Sequence, residues 1–184
     1  MNLKTFLSSV VLIGLISCDP KADNQTAKDT SEAKLMNLAG QVFFFAPELD
    51  TTECVATGAC DCCASHCLFL DESNFILISY CDSDEEYFSG TYKIDGNKVF
   101  LHYSDKKVVS ELKEDMNEEI QDDYVVYSEK AEASNVTFTT FNCRGQMLLK
   151  IEDEIDYYGS LDKEVVLDQQ LQELKDSGVW EKLK

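Results

Sequence analysis

The chain has 184 residues and a net charge of −19, with 35 acidic against 16 basic side chains. That length allows one domain with a real core. Such acidity repels nucleic acid and anionic lipid headgroups, which argues against both as partners.

At the N-terminus Lys4 supplies a positive n-region, Phe6 to Ile16 form a short apolar h-region, and Leu15-Ile16-Ser17-Cys18 closes it. This is the layout of a secretory signal. The apolar run falls short of the roughly 18 residues that span a bilayer. The closing four residues resemble the lipobox of bacterial lipoproteins, in which signal peptidase II cuts before the cysteine and the thiol is diacylglycerylated. The resemblance implies a signal peptide over 1–17 and fatty-acid (palmitate-type) lipidation at Cys18. The lipid bilayer would then be a partner, and the domain would stand outside the cytoplasm in the cell envelope, anchored to the inner or outer membrane. Asp19 to Lys34 contains no aromatic and no large aliphatic residue, so it cannot bury enough surface to offset its ordering entropy. We expect a disordered tether over 18–35, holding a single β-rich domain (36–184) on the order of 20 Å away if coil-like.

Gln41 to Phe45 reads as an aromatic strand ended by Pro47. Cys67 to Cys81 reads as a hairpin turning at Asp71 to Asn74. Gly90-Thr-Tyr-Lys-Ile, Asp95-Gly-Asn97 and Lys98 to Tyr103 form the clearest hairpin, because Asp-Gly suits a turn with positive φ. Its alternation places Tyr92, Ile94, Val99, Leu101 and Tyr103 on the core face, with Phe100 and His102 opposite. A strand pair is expected at Tyr124 to Ser128 and Asn135 to Asn142, and Cys143-Arg144-Gly145 then turns into Gln146 to Ile151. The acidic stretch Glu114 to Asp123 reads as a loop or short helix. Leu167, Leu171 and Leu174 are spaced four and three apart, one face of a helix. Ser177-Gly178 would end it, and Val179 and Trp180 would dock back on the core. The fold class is mainly β: an antiparallel meander closing into a small barrel or half-barrel with one C-terminal α-helix. A two-sheet sandwich is the competing architecture.

Besides Cys18 the chain has Cys54, Cys60, Cys62, Cys63, Cys67, Cys81 and Cys143. Outside the cytoplasm disulfides persist, and an odd number leaves one thiol over. Cys67, Cys81, Cys54 and Cys143 are the disulfide candidates. If the turn centres on Ser73-Asn74, Cys67 and Cys81 become diagonal neighbours able to bond. If it takes in all of Asp71 to Asn74, Cys63 is as good a partner for Cys81. Cys60, Cys62, Cys63, His66 and Cys67 also form a crowded set of thiolates and imidazole suited to copper or zinc. Structural disulfides compete with that reading for the same sulfurs. No G-x-S-x-G, H-E-x-x-H, P-loop or G-x-G-x-x-G motif occurs, and His66 and His102 are the only histidines. The chain therefore reads as non-enzymatic.

The order Cys60-x-x-Cys63, Leu68-Phe-Leu-Asp, an aromatic return strand and Gly90-Thr-Tyr-Lys-Ile-Asp-Gly-Asn-Lys-Val-Phe-Leu resembles the N-terminal domain of NlpE-type copper-resistance and envelope-stress lipoproteins. The likeness covers roughly residues 60–105. It departs where Cys62 and Cys67 crowd the C-x-x-C and where Tyr92 stands in place of the family's usual Trp. It implies a lipocalin-like β-domain on a lipid anchor, associated with copper tolerance and envelope signalling. The function expected is a membrane-anchored sensor, binding or scaffold domain with an unidentified envelope protein as a further partner. One alternative is a copper- or zinc-binding lipoprotein using Cys54 to Cys67. The other is a small apolar-ligand binder whose barrel interior is built by Val42 to Phe45 and Phe75 to Ile78.

Overall fold

The computed structural model describes residues 36–58, 64–81, 84–112, 124–151 and 156–184. The chain divides into Met1–Glu32 and Ala33–Lys184, and the structure below is that of the second unit. The signal segment, Cys18, the tether, Cys60, Cys62, Cys63 and the acidic stretch before Tyr124 lie outside the described residues.

The strands are β1 (Val42–Ala46), β2 (Glu48–Asp50), β3 (Val55–Thr57), β4 (Ala64–Phe69), β5 (Asn74–Cys81), β6 (Asp84–Asp95), β7 (Lys98–Leu112), β8 (Tyr124–Lys130), β9 (Asn135–Cys143), β10 (Gln146–Ile151) and β11 (Tyr157–Leu161). Helices α1 (Leu167–Asp176) and α2 (Val179–Leu183) follow. Eight strands form one antiparallel ring, β1-β4-β5-β6-β7-β9-β10-β11, with β11 back against β1. Closure removes the free edges that a sandwich would leave. The barrel expectation therefore holds.

Period-2 alternation sorts the side chains into two sets. Phe43, Phe45, Cys67, Phe69, Phe75, Tyr92, Val99, Leu101, Tyr103, Phe138 and Leu149 point inward and form one buried cluster. Their rings meet edge-on or tilted: Phe69 and Tyr92 at 4.9 Å, Phe45 and Phe138 at 4.9 Å, Phe75 and Tyr103 at 5.0 Å between centroids. Each such side chain contributes about 1.5–3 kcal/mol by burial. The strands expected to line a ligand chamber thus build a filled core instead. Gly159 is required by it: a Cβ there would come 2.5 Å from the Phe45 ring.

The β6–β7 hairpin turns at Gly96-Asn97, with Gly96 at φ 59° and Asp95 opposite Lys98. Tyr92, Val99, Leu101 and Tyr103 are buried as expected, while Phe100 is 43% exposed. The expected β8–β9 pair does not exist. Both strands pair with β7, in tandem along one edge: β9 at Lys98–His102 and β8 at Lys106–Leu112. A 15-residue strand is long enough to serve both.

The β4–β5 register also differs from both expectations. Phe69, not Leu70 or Glu72, lies opposite Phe75, and Cys67 lies opposite Leu77. Five residues, Leu70 to Asn74, therefore connect the pair, a wider turn than either expectation, and it is held by the Asp71 carboxylate, which accepts from the backbone N–H of Ser73 and Asn74 at 2.8 Å each. The Asn74 side-chain amide, together with these backbone bonds, holds Asp71 down at about 2. Cys81 is four residues beyond Leu77, roughly 13 Å along the strand at ~3.3 Å per residue. A disulfide needs Cα atoms within about 7 Å. A Cys67–Cys81 bridge is therefore ruled out, and Cys67 is a free, buried thiol.

Candidate functional site

With the interior filled, chemistry falls to the outer wall, which carries two added pieces. The first is a strap, the β2–β3 hairpin. It is bound to the barrel by a Cys54–Cys143 disulfide that joins residues 89 apart in sequence. Arg144 Nη1 donates to the Thr52 carbonyl at 2.9 Å, and the Ala56 N–H donates to Ser160 Oγ at 3.0 Å. Cys54 and Arg144 both adopt positive φ, 58° and 50°. That conformation is costly for a residue with a side chain, and here the cross-link and the Thr52 bond hold it. Two of the four disulfide candidates are thus partners.

The second piece is the C-terminal helix pair. Val42, Leu68, Ile76, Ile78, Tyr87 and Val108 point out of the barrel and bury against Leu174, Val179 and Leu183. The expected heptad-like spacing is realised as α1, whose Leu174 is buried. The helix stops where Gly178 takes φ 80°, and α2 begins at once. Pairing α1 with a second helix, rather than a loose docking of Val179 and Trp180, was not foreseen.

A polar latch fixes the start of this cover. The Asp162 N–H donates to the Val42 carbonyl, and Asp162 Oδ1 accepts from the N–H of Glu164 at 2.9 Å and Val165 at 3.1 Å. Asp162 Oδ2 lies 3.1 Å from His66 Nε2, and His66 Nδ1 lies 3.0 Å from the Tyr80 hydroxyl. Burial alone would raise the Asp162 carboxyl, but the Glu164 N–H, His66 and the Val165 N–H outweigh it and hold it low. The latch is satisfied in either charge state of His66, because a tyrosine hydroxyl can donate or accept. Burial, reinforced by the charges of Glu85, Glu173 and Asp162, pushes the Tyr80 hydroxyl well up. That is the reverse of an activated nucleophile or base. Through His66 the Asp162-His66-Tyr80 chain ties β4 and β5 to the start of the helical cover.

Two cavities flank the helices. One, about 250 Å³, is lined by Tyr80, Glu85, Tyr87, Glu173 and Leu174 among others. Burial and the Glu85 carboxylate that its hydroxyl donates to push Tyr87 up as well. The other, about 450 Å³, lies between α2 and the β5–β6 wall.

The proposed metal set is only partly placed. His66 points outward to Tyr80 and Asp162, whereas Cys67 points into the core, where burial pushes its thiol far up. Adjacent strand residues face opposite sides, so these two cannot share a metal ion. Among the described residues no group of three or more His, Cys, Asp or Glu is placed to hold one. His102 is an exposed residue whose ring bonds Asn135. The latch partner Asp162 and the helix-covered wall were missed by sequence reasoning. Asp162 followed by the helical run was the available signal.

No protein-family model matches the chain, and no curated protein matches it. Among solved structures it is similar to a streptavidin-like protein from Bacteroides eggerthii DSM 20697, with a TM-score of 0.50 and 13% identity, covering 73% of this chain and 86% of that one. At that identity the likeness concerns fold. The molecule is a small closed antiparallel β-barrel, similar in fold to that protein, with a disulfide-bound strap and a C-terminal helix pair on its outer wall.

Proposed function

We propose that this protein is a lipid-anchored lipoprotein of the bacterial cell envelope whose barrel is a non-enzymatic binding or scaffold module. The observation that carries the module reading is the closed barrel whose inward side chains pack into one buried core. This leaves recognition to the outer wall and offers no activated nucleophile there among the described residues. The anchor reading rests on Leu15-Ile-Ser-Cys18 and on the similarity to NlpE-type lipoproteins. A streptavidin-like architecture supports a binding role over a catalytic one.

The anchor is tested by metabolic labelling with a tagged fatty acid. Label should appear on the wild-type chain and vanish with Cys18→Ala; label that survives the substitution refutes lipidation at this residue. Thiol titration beside metal analysis of the same protein separates a scaffold from a metal carrier. A scaffold shows Cys67 as its unpaired thiol and no bound metal, whereas several reduced thiols with stoichiometric copper or zinc would overturn the scaffold reading.

A further inference from the structure

We propose that the 450 Å³ groove between α2 and the β5–β6 wall binds a single-chain fatty acid, its hydrocarbon tail in the groove and its carboxylate at the α2 end. The proposal rests on the outer wall being the binding surface, and it names the ligand class for that surface. The volume falls within the ~300–1,000 Å³ of small-ligand sites. Leu70, Ile76, Trp180 and Leu183 supply an apolar lining. That surface suits hydrocarbon and offers a sugar or nucleotide few partners. It is also concave, and Trp180 is half-buried, so it fits one acyl chain better than the face of a bilayer.

Charge at the mouth selects the headgroup. The cation at this mouth is Lys184, which lines the groove, lies 5.4 Å from the Trp180 ring centroid and shares an exposed ion pair with Glu181 at 2.9 Å, so an anionic head would compete with that weak surface pair for it. Ser89 and Thr91 also line the groove. The carboxylate lining the groove, Asp71, already accepts bonds from Ser73 and Asn74 and is turned to its own loop. An anionic head can therefore meet Lys184 at the rim. The described chain also starts at this end. Gly40 and Gln41 bond the backbone of Phe69, next to Leu70, and Met36 lies four residues earlier.

Trp180 is the sole tryptophan, so its fluorescence reports on the groove directly. The full chain carrying Cys18→Ala, which removes any acyl group of its own, is titrated with bromine-substituted palmitic acid. Saturable quenching at micromolar probe, reversed by unlabelled palmitate, is the expected result. Thr91→Tyr, at an exposed rim position, should raise the half-saturation point at least tenfold, and Lys184→Glu several-fold. Hexadecanol, lacking the carboxylate, should bind more weakly and be indifferent to Lys184→Glu. Circular dichroism of both variants should match the parent. Absence of saturable quenching up to the probe's solubility, or quenching unchanged by Thr91→Tyr, overturns the site. Equal binding of hexadecanol and palmitate overturns the headgroup assignment. Stronger quenching by vesicles of brominated phosphatidylcholine than by the fatty acid would make a bilayer the occupant and overturn the proposal. None of these outcomes depends on whether fatty-acid labelling of Cys18 succeeds, so the two readings fail separately.

Discussion

Replacing Cys54 and Cys143 together by serine tests how the strap is held. The bond closes a loop of about 90 residues, which in the chain-entropy account stabilises the folded state by roughly 4–5 kcal/mol. The strap keeps other ties, Arg144 to Thr52 and Ser160 to Ala56, so the doubly substituted chain should still fold. For a domain of this size a loss of 1 kcal/mol lowers Tm by about 2–4 °C. The double variant should therefore melt about 10–20 °C below the parent, and a reducing agent should bring the parent down by a similar amount. Hydrogen exchange gives the local view: the Ala56 amide should lose protection well before the β5–β6 ladder. A double variant melting within about 3 °C of the parent would refute the stabilising role. Unreduced peptide maps joining Cys54 to another cysteine would refute the pairing itself.

The acid sensitivity of the latch follows from Asp162. A carboxylate held below its unfolded value, near 3.8, contributes stability that is present above that pH and is lost as pH falls through the folded value. Asp162→Asn should thus lower the urea midpoint at neutral pH and flatten its fall below about pH 4. Parallel acid limbs for the two proteins would contradict this. Cys67, buried and with its thiol pushed up, should resist alkylation in native buffer and react fully in denaturant; rapid native labelling at Cys67 would show that the core is open.

Legibility in the sequence followed locality. The β6–β7 hairpin was readable because its two arms alternate cleanly about Asp95-Gly96-Asn97, and helix α1 because three leucines mark one face. The partners of β8 and β9 were not readable. Each strand's own pattern is sound, but which strand it meets is decided by barrel closure, a property of the whole ring. Strands β2 and β3 have three residues each, too few for a period to show. Strand β11 is masked in sequence by its glycine, and Gly159 makes sense only beside the Phe45 ring it accommodates. The cysteines misled for a related reason. Cys67 and Cys81 looked paired through an assumed turn, and a shift of one register position or more, enforced by Asp71, moved them apart. For His66, alternation with Cys67 already placed the two on opposite faces, a constraint that strand assignment from residue 64 would have exposed.

The division of labour along β7 has a consequence for how this protein can change. Ring closure runs through Lys98–His102 and β9, whereas β8 hangs on Lys106–Leu112, a stretch that β6 also holds on its other edge. Loss of β8 would break that ladder and take Val126 out of the cluster under the helices, yet leave the ring shut. Ring closure is in this sense insulated from its own appendage. Insertions, deletions or grafted peptides in and around β8 can alter the outer surface without altering topology, so this flank is where a lineage, or an engineer, can add new recognition at least risk to the scaffold.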